Sequence, residues 1–502
     1  MDKISNYPFR AYKKIKTFFS KPIRKIFLLY LIVFLIGAIF LYLPFSHNNT
    51  STGKAKISFI NALFTSASAF SDTGLSVAVT FITFNFFGQF VIFLLIFFGG
   101  LGLFTLRIFF LSFFVKKFSY RNYDLVSNEM EAKNKSDAIK MVKTTFIVSL
   151  VSILLFGIIL AFLFYFVNPS SPGNAEFFNN PKNNLWLSIW MGFFTSSSAL
   201  NNAGFDITSS ASFTVYDANV VIQMIILILF VLGGIGFPLI YEIIEWLKAR
   251  RHGKTYRTSL ISKILFFSYV FVAFGSLFFV YLFEGLAAIN NPNSFFRTDT
   301  IGLSIWGRIW ALTFNTFSTR SAGFSTIDLT LLTQPTLIMY IFTMFIGAGS
   351  SSTTGGIRTT TFWILMIFFF GSLQGKKDVE TFKRRIKPSR VNQAFIIFFF
   401  SFVLIMLTSI LMTMDMSFGK KFSADDNYWN IVSIAIFTAT SAFGAVGLSI
   451  SNIDHFGNIS KLLLILLMFI GQLGIANTLK QFDKKSNFKT TKRFIEEDIV
   501  LG

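Results

Sequence analysis

Four short polar stretches interrupt an otherwise apolar chain, and each closes on a glycine followed by an apolar residue: SAFSDTGL at 68–75, SALNNAGF at 198–205, FSTRSAGF at 317–324 and SAFGAVGL at 441–448. The glycines, Gly74, Gly204, Gly323 and Gly447, recur at intervals of 130, 119 and 124 residues. These stretches offer no acid–base pair, nucleophile or metal cluster. What they offer is backbone carbonyl. Non-helical backbone at membrane depth is tolerated where protein buries it or where it lines a watery cavity, and rings of carbonyls there can replace a cation's hydration shell. Glycine reaches the positive φ that lets successive carbonyls face one axis. The spacing therefore predicts a four-part cation filter made of Asp72, Thr73 and Gly74; Asn202, Ala203 and Gly204; Ser321, Ala322 and Gly323; and Ala445, Val446 and Gly447. Asp72, the one carboxylate among them, either attracts cations at the mouth or hydrogen-bonds a neighbouring amide. Arg320 reads most simply as a tether to nearby carbonyls.

Such loops need elements to aim them. Each repeat reads as span, short helix, loop, span, with the C-terminal, partially negative end of the short helix favouring a cation. The first repeat predicts a span at 26–45, a short helix at 57–70 and a second span at 84–115. The second predicts 145–167, 185–200 and 220–247; the third 261–283, 301–317 and 336–373; the fourth 394–414, 428–443 and 460–479. The expected fold is an all-α membrane protein of eight transmembrane helices around one pseudo-four-fold pore. It forms a single domain over 1–502, with repeats near 26–115, 144–248, 260–373 and 391–480.

The second spans carry GGLG at 99–102, GGIG at 233–236 and GQLG at 471–474. Close helix packing through small residues explains these short motifs. The third repeat departs from them with GAGSSSTTGGIRTTT at 347–361. So many glycines and hydroxyls, with an Arg, favour broken backbone over a lipid-facing helix. Gly347, Gly349, Ser350, Ser351, Ser352, Thr353, Thr354, Gly355, Gly356 and Arg358 are expected to form a loop across the pore below the filter, acting as a gate.

Composition sets the compartment. The 502 residues are 53% hydrophobic and 14% charged, and apolar runs of about 20 residues recur along the chain, as only a membrane protein requires. The net charge of +21 is patterned rather than spread. Basic residues gather at 3–25, 116–143, 248–263, 376–390 and 480–493, while the stretches between carry few. That alternation is the positive-inside signature, so both termini and the inter-repeat linkers are expected in the cytoplasm, with anionic lipid as a secondary contact and no nucleic acid. Zero cysteines exclude disulfides and thiolate chemistry. His47, His252 and His455 are scattered, and no phosphate-binding loop is present, so no enzyme site is expected. Glu242 and Glu245 read as a span end-cap rather than an ion site. A carrier for organic solutes or a membrane enzyme would need intramembrane acidic or His constellations, and a self-sufficient channel would need its own sensor; neither is evident.

With four loops in order and the third-span loop, the chain resembles the Trk/Ktr/HKT superfamily of potassium transporters over essentially its whole length, most closely the KtrB branch of membrane subunits. The resemblance implies K+ uptake across the plasma membrane, with K+ held at the filter residues. Glycine at all four filter positions goes, in that superfamily, with potassium rather than sodium. The resemblance further implies a homodimer with one pore per protomer and a cytosolic nucleotide-binding ring of the KtrA type on the basic face. Na+ coupling and a Na+-conducting variant stay open. Where the family commonly has Arg in the last inner span, this chain has Gln472, which implies differently controlled closure if that Arg lies by the gate loop.

Overall fold

In a computed structural model of the chain, residues 22–50, 53–54, 57–100, 135–292, 294–297, 302–350, 352–376, 378–418, 428–475 and 478 are described. The helices recur in one order, an outer helix, a short helix and an inner helix. The first set is α1 (Pro22–Tyr42), α2 (Phe59–Phe70) and α3 (Phe86–Gly100). The second is α4 (Lys135–Phe166) and α5 (Leu185–Leu200), with an inner pair α6 (Val220–Ile235) and α7 (Phe237–Arg251). The third is α8 (Leu260–Asn290) and α9 (Ile305–Ser318), with an inner pair α10 (Gln334–Ile346) and α11 (Thr359–Leu373). The fourth is α12 (Pro388–Phe418), α13 (Tyr428–Gly444) and α14 (Asn458–Leu473).

Burial sorts these helices by role. Along α4 the exposed residues Ile147, Val151, Leu155, Ile158 and Phe162 form a continuous apolar stripe, as do Phe267, Phe271, Phe274, Phe278 and Leu282 along α8. Stripes of that size on an exterior mark contact with lipid or protein. Among the described helices, α4, α8 and α12 contain stretches long and apolar enough to cross a membrane unaided, and the bent pair α6–α7 would make a fourth. The chain is a multi-pass membrane protein. The short helices are instead enclosed: from Phe64 to Phe70 every residue of α2 is buried. Side-chain caps fix their starts, with Ser58, Asn184 and Ser304 accepting from Asn61, Leu187 and Gly307 backbone N–H.

Polar side chains close the seams between successive sets. Trp190 Nε1 on α5 donates to Gln89 Oε1 on α3 at 2.7 Å, and Trp310 Nε1 on α9 donates to Gln223 Oε1 on α6 at 2.8 Å. Lys461 Nζ on α14 donates to Asn61 Oδ1 on α2 at 3.0 Å, bringing the last set back to the first. Gln223 is fully buried, so losing the indole N–H strands its oxygen. Trp310→Phe is expected to cost about 1–3 kcal/mol of stability, seen as a lower melting temperature in detergent. Trp186→Phe, at an exposed indole, should leave it unchanged.

The small-residue motifs of the inner helices pack closely, as expected. A Cβ at Gly99, Gly233 or Gly471 would run into the carbonyl of Phe70, Leu200 or Phe443, each just before the glycine-ended loop of the same set. The predicted continuous span at 220–247 is corrected. It breaks at Gly236 (φ 104°, ψ 139°), and α7 leaves α6 at 99°. The last glycine of this motif ends the helix because only glycine takes that backbone without strain. Gly347 (φ 52°) and Gly474 (φ 78°) end α10 and α14 in the same way. The linker before α12 holds a small hairpin of Glu380–Thr381 against Arg384–Arg385. The stretch 101–115 of the first inner span and the basic segments at 3–21 and 480–493 lie outside the described residues.

Candidate functional site

Each short helix ends in the same turn. The residue two before the loop glycine takes positive φ in all four sets: Asp72 51°, Asn202 57°, Ser321 91° and Ala445 48°. The following residue then donates its N–H back into the helix, from Thr73 to Ser68 (2.9 Å), Ala203 to Ser198 (2.8 Å), Ala322 to Ser318 (2.8 Å) and Val446 to Ser441 (2.9 Å). In three sets this is the six-to-one bond of a Schellman cap. The glycine is again left-handed, with φ 84° at Gly74, 67° at Gly204, 76° at Gly323 and 94° at Gly447. With the N–H groups turned into the helix, the carbonyls of Thr73, Ala203, Ala322 and Val446 are left to face outward from their own loop.

Those carbonyls meet the next set. A Cβ at Gly74 would collide with Ala203 O, one at Gly323 with Val446 O, and one at Gly447 with Thr73 O; at Gly204 it would stand 3.0 Å from Ala322 O. The contacts run first to second, second to third, third to fourth and fourth to first, so the four loops close into a ring. Ser321 Oγ strengthens the third-to-fourth step, donating to Ala445 O at 2.6 Å and approaching Gly444 O at 3.0 Å. Every predicted filter residue lies in this ring, and the short helices end at it.

The polar run after α10 lies against the ring on the inner-helix side. Gly349 N donates to Gly234 O at 2.9 Å, and the loop then passes the end of α6 where Ser350 O stands 2.6 Å from the place of a Gly236 Cβ. With the Asn202 amide oriented to satisfy all its atoms, its nitrogen donates to Phe230 O, and its oxygen accepts from Thr353 Oγ1 and Gly234 N, each at 3.0 Å. Gly355 packs on Gly444 and Ala445, and Gly356 N donates to Phe443 O at 2.9 Å. Ser352 Oγ donates to Gly349 O at 2.6 Å, Gly347 packs against Gly355, and Thr354 accepts from Arg358 within the loop. Arg358 Nη2 also donates to Gln472 O on α14 at 3.4 Å. The loop thus touches the second, third and fourth sets, and the Ser352 hydroxyl ties its own backbone together. Ser351 lies outside the described residues.

One predicted role needs correction. Arg320 is 2% exposed, yet among the described residues none of its guanidinium nitrogens has a hydrogen-bond acceptor. It stands over the Tyr269 ring at 5.1 Å, held by cation–π contact rather than carbonyls. Asp72 is buried and makes the second of its two expected contacts, accepting from the amide Gln472 Nε2 at 3.4 Å. Sequence reasoning missed the left-handed residues before the glycines. Asp72 and Asn202 carried a signal, since Asx residues tolerate that region, but Ser321 and Ala445 carried none. Of the carboxylates read as end-caps, Glu242 accepts from Ser259 N at the start of α8, while Glu245 forms an ion pair with Lys248 one turn on at 2.8 Å. His47 meets Leu41 O at 2.9 Å, and among the described residues no group of three His, Asp or Glu could hold a metal.

Three comparisons bear on this arrangement. The profile of the TrkH family, described as a cation transport protein, matches residues 34–489. The uncharacterized cation transporter MG322 of Mycoplasma genitalium is 30% identical over 95% of this chain and 97% of its own. The Ktr system potassium uptake protein D of Bacillus subtilis is 29% identical over 96% and 97%. Among solved structures, the potassium transporter TrkH from Vibrio parahaemolyticus shares the fold at a TM-score of 0.59, with 17% identity, 90% of this chain and 84% of that one covered.

Proposed function

The chain belongs to the TrkH family of cation transport proteins, and from that membership we propose that it takes up K+ across the plasma membrane through the ring of four loops. One observation carries the reading: left-handed residue, spacer and left-handed glycine recur in all four sets, and each glycine meets a carbonyl of the next. A ring of carbonyls surrounding one axis can replace the water of a monovalent cation. The α2, α5, α9 and α13 C-termini add the partial negative charge of four helix ends. Four glycines and the potassium uptake activity named for the Bacillus subtilis relative support K+ as the ion.

In this reading the eight spans are α1, α3, α4, α6–α7, α8, α10–α11, α12 and α14, with both termini cytoplasmic. The loop at 347–358 is the gate. The chain pairs with a second copy, and a nucleotide-binding ring of the KtrA type docks on the basic face to move the gate. Transport is tested with the purified protein in liposomes, comparing K+, Na+ and NH4+. We expect K+ flux well above protein-free vesicles and above Na+ flux. Equal K+ and Na+ flux, or none from both wild type and a gate-shortened variant, contradicts the proposal. Assembly is tested by mass measurement in native lipid, where monomers at every concentration would rule out the pair.

A further inference from the structure

Helix α7 leaves the end of α6 at 99°, so it lies across the direction of that span rather than along it. Ile243, Trp246, Leu247 and Arg250 fall at helical spacing on one exposed face, and the exposed Lys248 and Arg251 flank it. The Arg250 guanidinium stands 5.5 Å over the Trp246 ring. The two carboxylates of α7 are engaged elsewhere. Glu242 accepts from Ser259 N at 3.0 Å, fixing α7 to the start of α8, and Glu245 pairs with Lys248. From residue 248 to residue 263 the chain carries Lys248, Arg250, Arg251, Lys254, Arg257 and Lys263, and no Asp or Glu.

An exposed apolar stripe with a tryptophan, edged by basic side chains and set nearly at right angles to a span, has the character of an interfacial helix. The apolar side chains enter the acyl boundary, the indole sits at headgroup level, and the long cations reach the phosphates. We propose that α7 docks on the anionic lipid headgroups of the cytoplasmic leaflet, and that this contact holds the loop at 347–358 in its seat. Charge selects the partner, since an anionic leaflet attracts every basic residue near it. The apolar stripe adds a contact that a soluble anion would leave uncovered. The link to the loop is short. Gly236 joins α6 to α7, and Ser350 O stands 2.6 Å from the place of its Cβ, while Gly349 N donates to Gly234 O at 2.9 Å. Phe237 and Ile240 of α7 also line one small cavity with Thr353. While α7 is held against the leaflet, that seat is kept. Once α7 is released, the joint at Gly236 turns and Ser350 loses its support. The gating half rests on the K+ pathway proposed above; the docking half stands on the residues of α7.

The chain has no cysteine, so a nitroxide can be placed at one chosen site. Full-length Ile243→Cys, Leu247→Cys and Lys254→Cys are labelled in vesicles of phosphatidylglycerol and phosphatidylcholine, and access to oxygen and to a water-soluble nickel complex is measured. The ratio of oxygen to nickel access is expected to be severalfold higher at 243 and 247 than at 254. Equal ratios at all three overturn the docking. So does nickel access at 243 and 247 that falls only when a cytosolic protein is added, which would assign the face to that protein. Gating is read as K+ flux at constant ionic strength. Wild-type flux is expected to be severalfold lower with phosphatidylglycerol present than in phosphatidylcholine alone. Arg250→Gln with Arg251→Gln should remove most of that difference, as should deletion of Ser350–Thr353. Wild-type flux that ignores the lipid, or a lipid effect undiminished in the double variant, overturns the link to the loop. A failed pathway assignment looks different: none of these chains would carry K+, while the labels at 243 and 247 still reported lipid.

Discussion

Gly74→Ser is expected to lower discrimination of K+ over Na+ about tenfold or more while the protein still folds. Two costs meet at this residue. A side chain in the left-handed region costs about 1–2 kcal/mol, and Gly74 sits there at φ 84°. Its Cβ would also collide with Ala203 O, so the first loop must draw back from the second. Ion discrimination depends on carbonyl spacing, and about 1.4 kcal/mol of differential binding is a factor of ten. The outer helices and the capped starts of the short helices are untouched, so melting temperature should fall only modestly. Gly204 gives an internal ranking: its Cβ would stand 3.0 Å from Ala322 O, the loosest of the four junctions, so Gly204→Ser should disturb selectivity least. Reversal potentials in liposomes provide the readout. Unchanged K+/Na+ ratios in correctly folded Gly74→Ser would remove the loop from the filter.

Removing Ser350–Thr353 is expected to raise basal K+ flux roughly ten- to a hundredfold and to weaken its dependence on a cytosolic partner. The deletion takes out the Thr353 contact with Asn202 and the Ser352 contact with Gly349, and it releases the segment lying along Gly236. Hydrogen bonds of this kind each contribute about 0.5–1.5 kcal/mol, so losing two shifts a closed–open balance by that order. A loop that only packs the third set against its neighbours would give a different outcome: lower stability at unchanged flux. Proteoliposome flux with and without partner, beside a melting curve, separates the two. Unchanged flux and unchanged partner dependence in a folded variant would end the gate assignment.

Much of this arrangement is readable from residues alone, for local reasons. Ser58, Asn184 and Ser304 announce helix starts because their side chains accept the free N–H groups of the first turn. The four loop glycines announce themselves because spacing and φ requirement coincide. The break at Gly236 was hidden because small residues spaced for close packing and a chain-reversing glycine share one motif, and Gly233 does the first job while Gly236 does the second. The turn at Ala445 carries no compositional sign, since tertiary contacts from Ser321 and Gly355 hold it. Arg320 over Tyr269 and Asp72 beside Gln472 join distant parts of the chain, and no local pattern predicts such pairs. The departure at Gln472 was visible; its partner was not.

The most direct measurement is the anomalous scattering of Tl+ or Rb+ bound to crystals of the full-length protein. The account predicts cation density on the axis of the ring formed by the Thr73, Ala203, Ala322 and Val446 carbonyls, lost in Gly74→Ser. Cations found elsewhere, with that ring empty in a protein that transports K+, would contradict it.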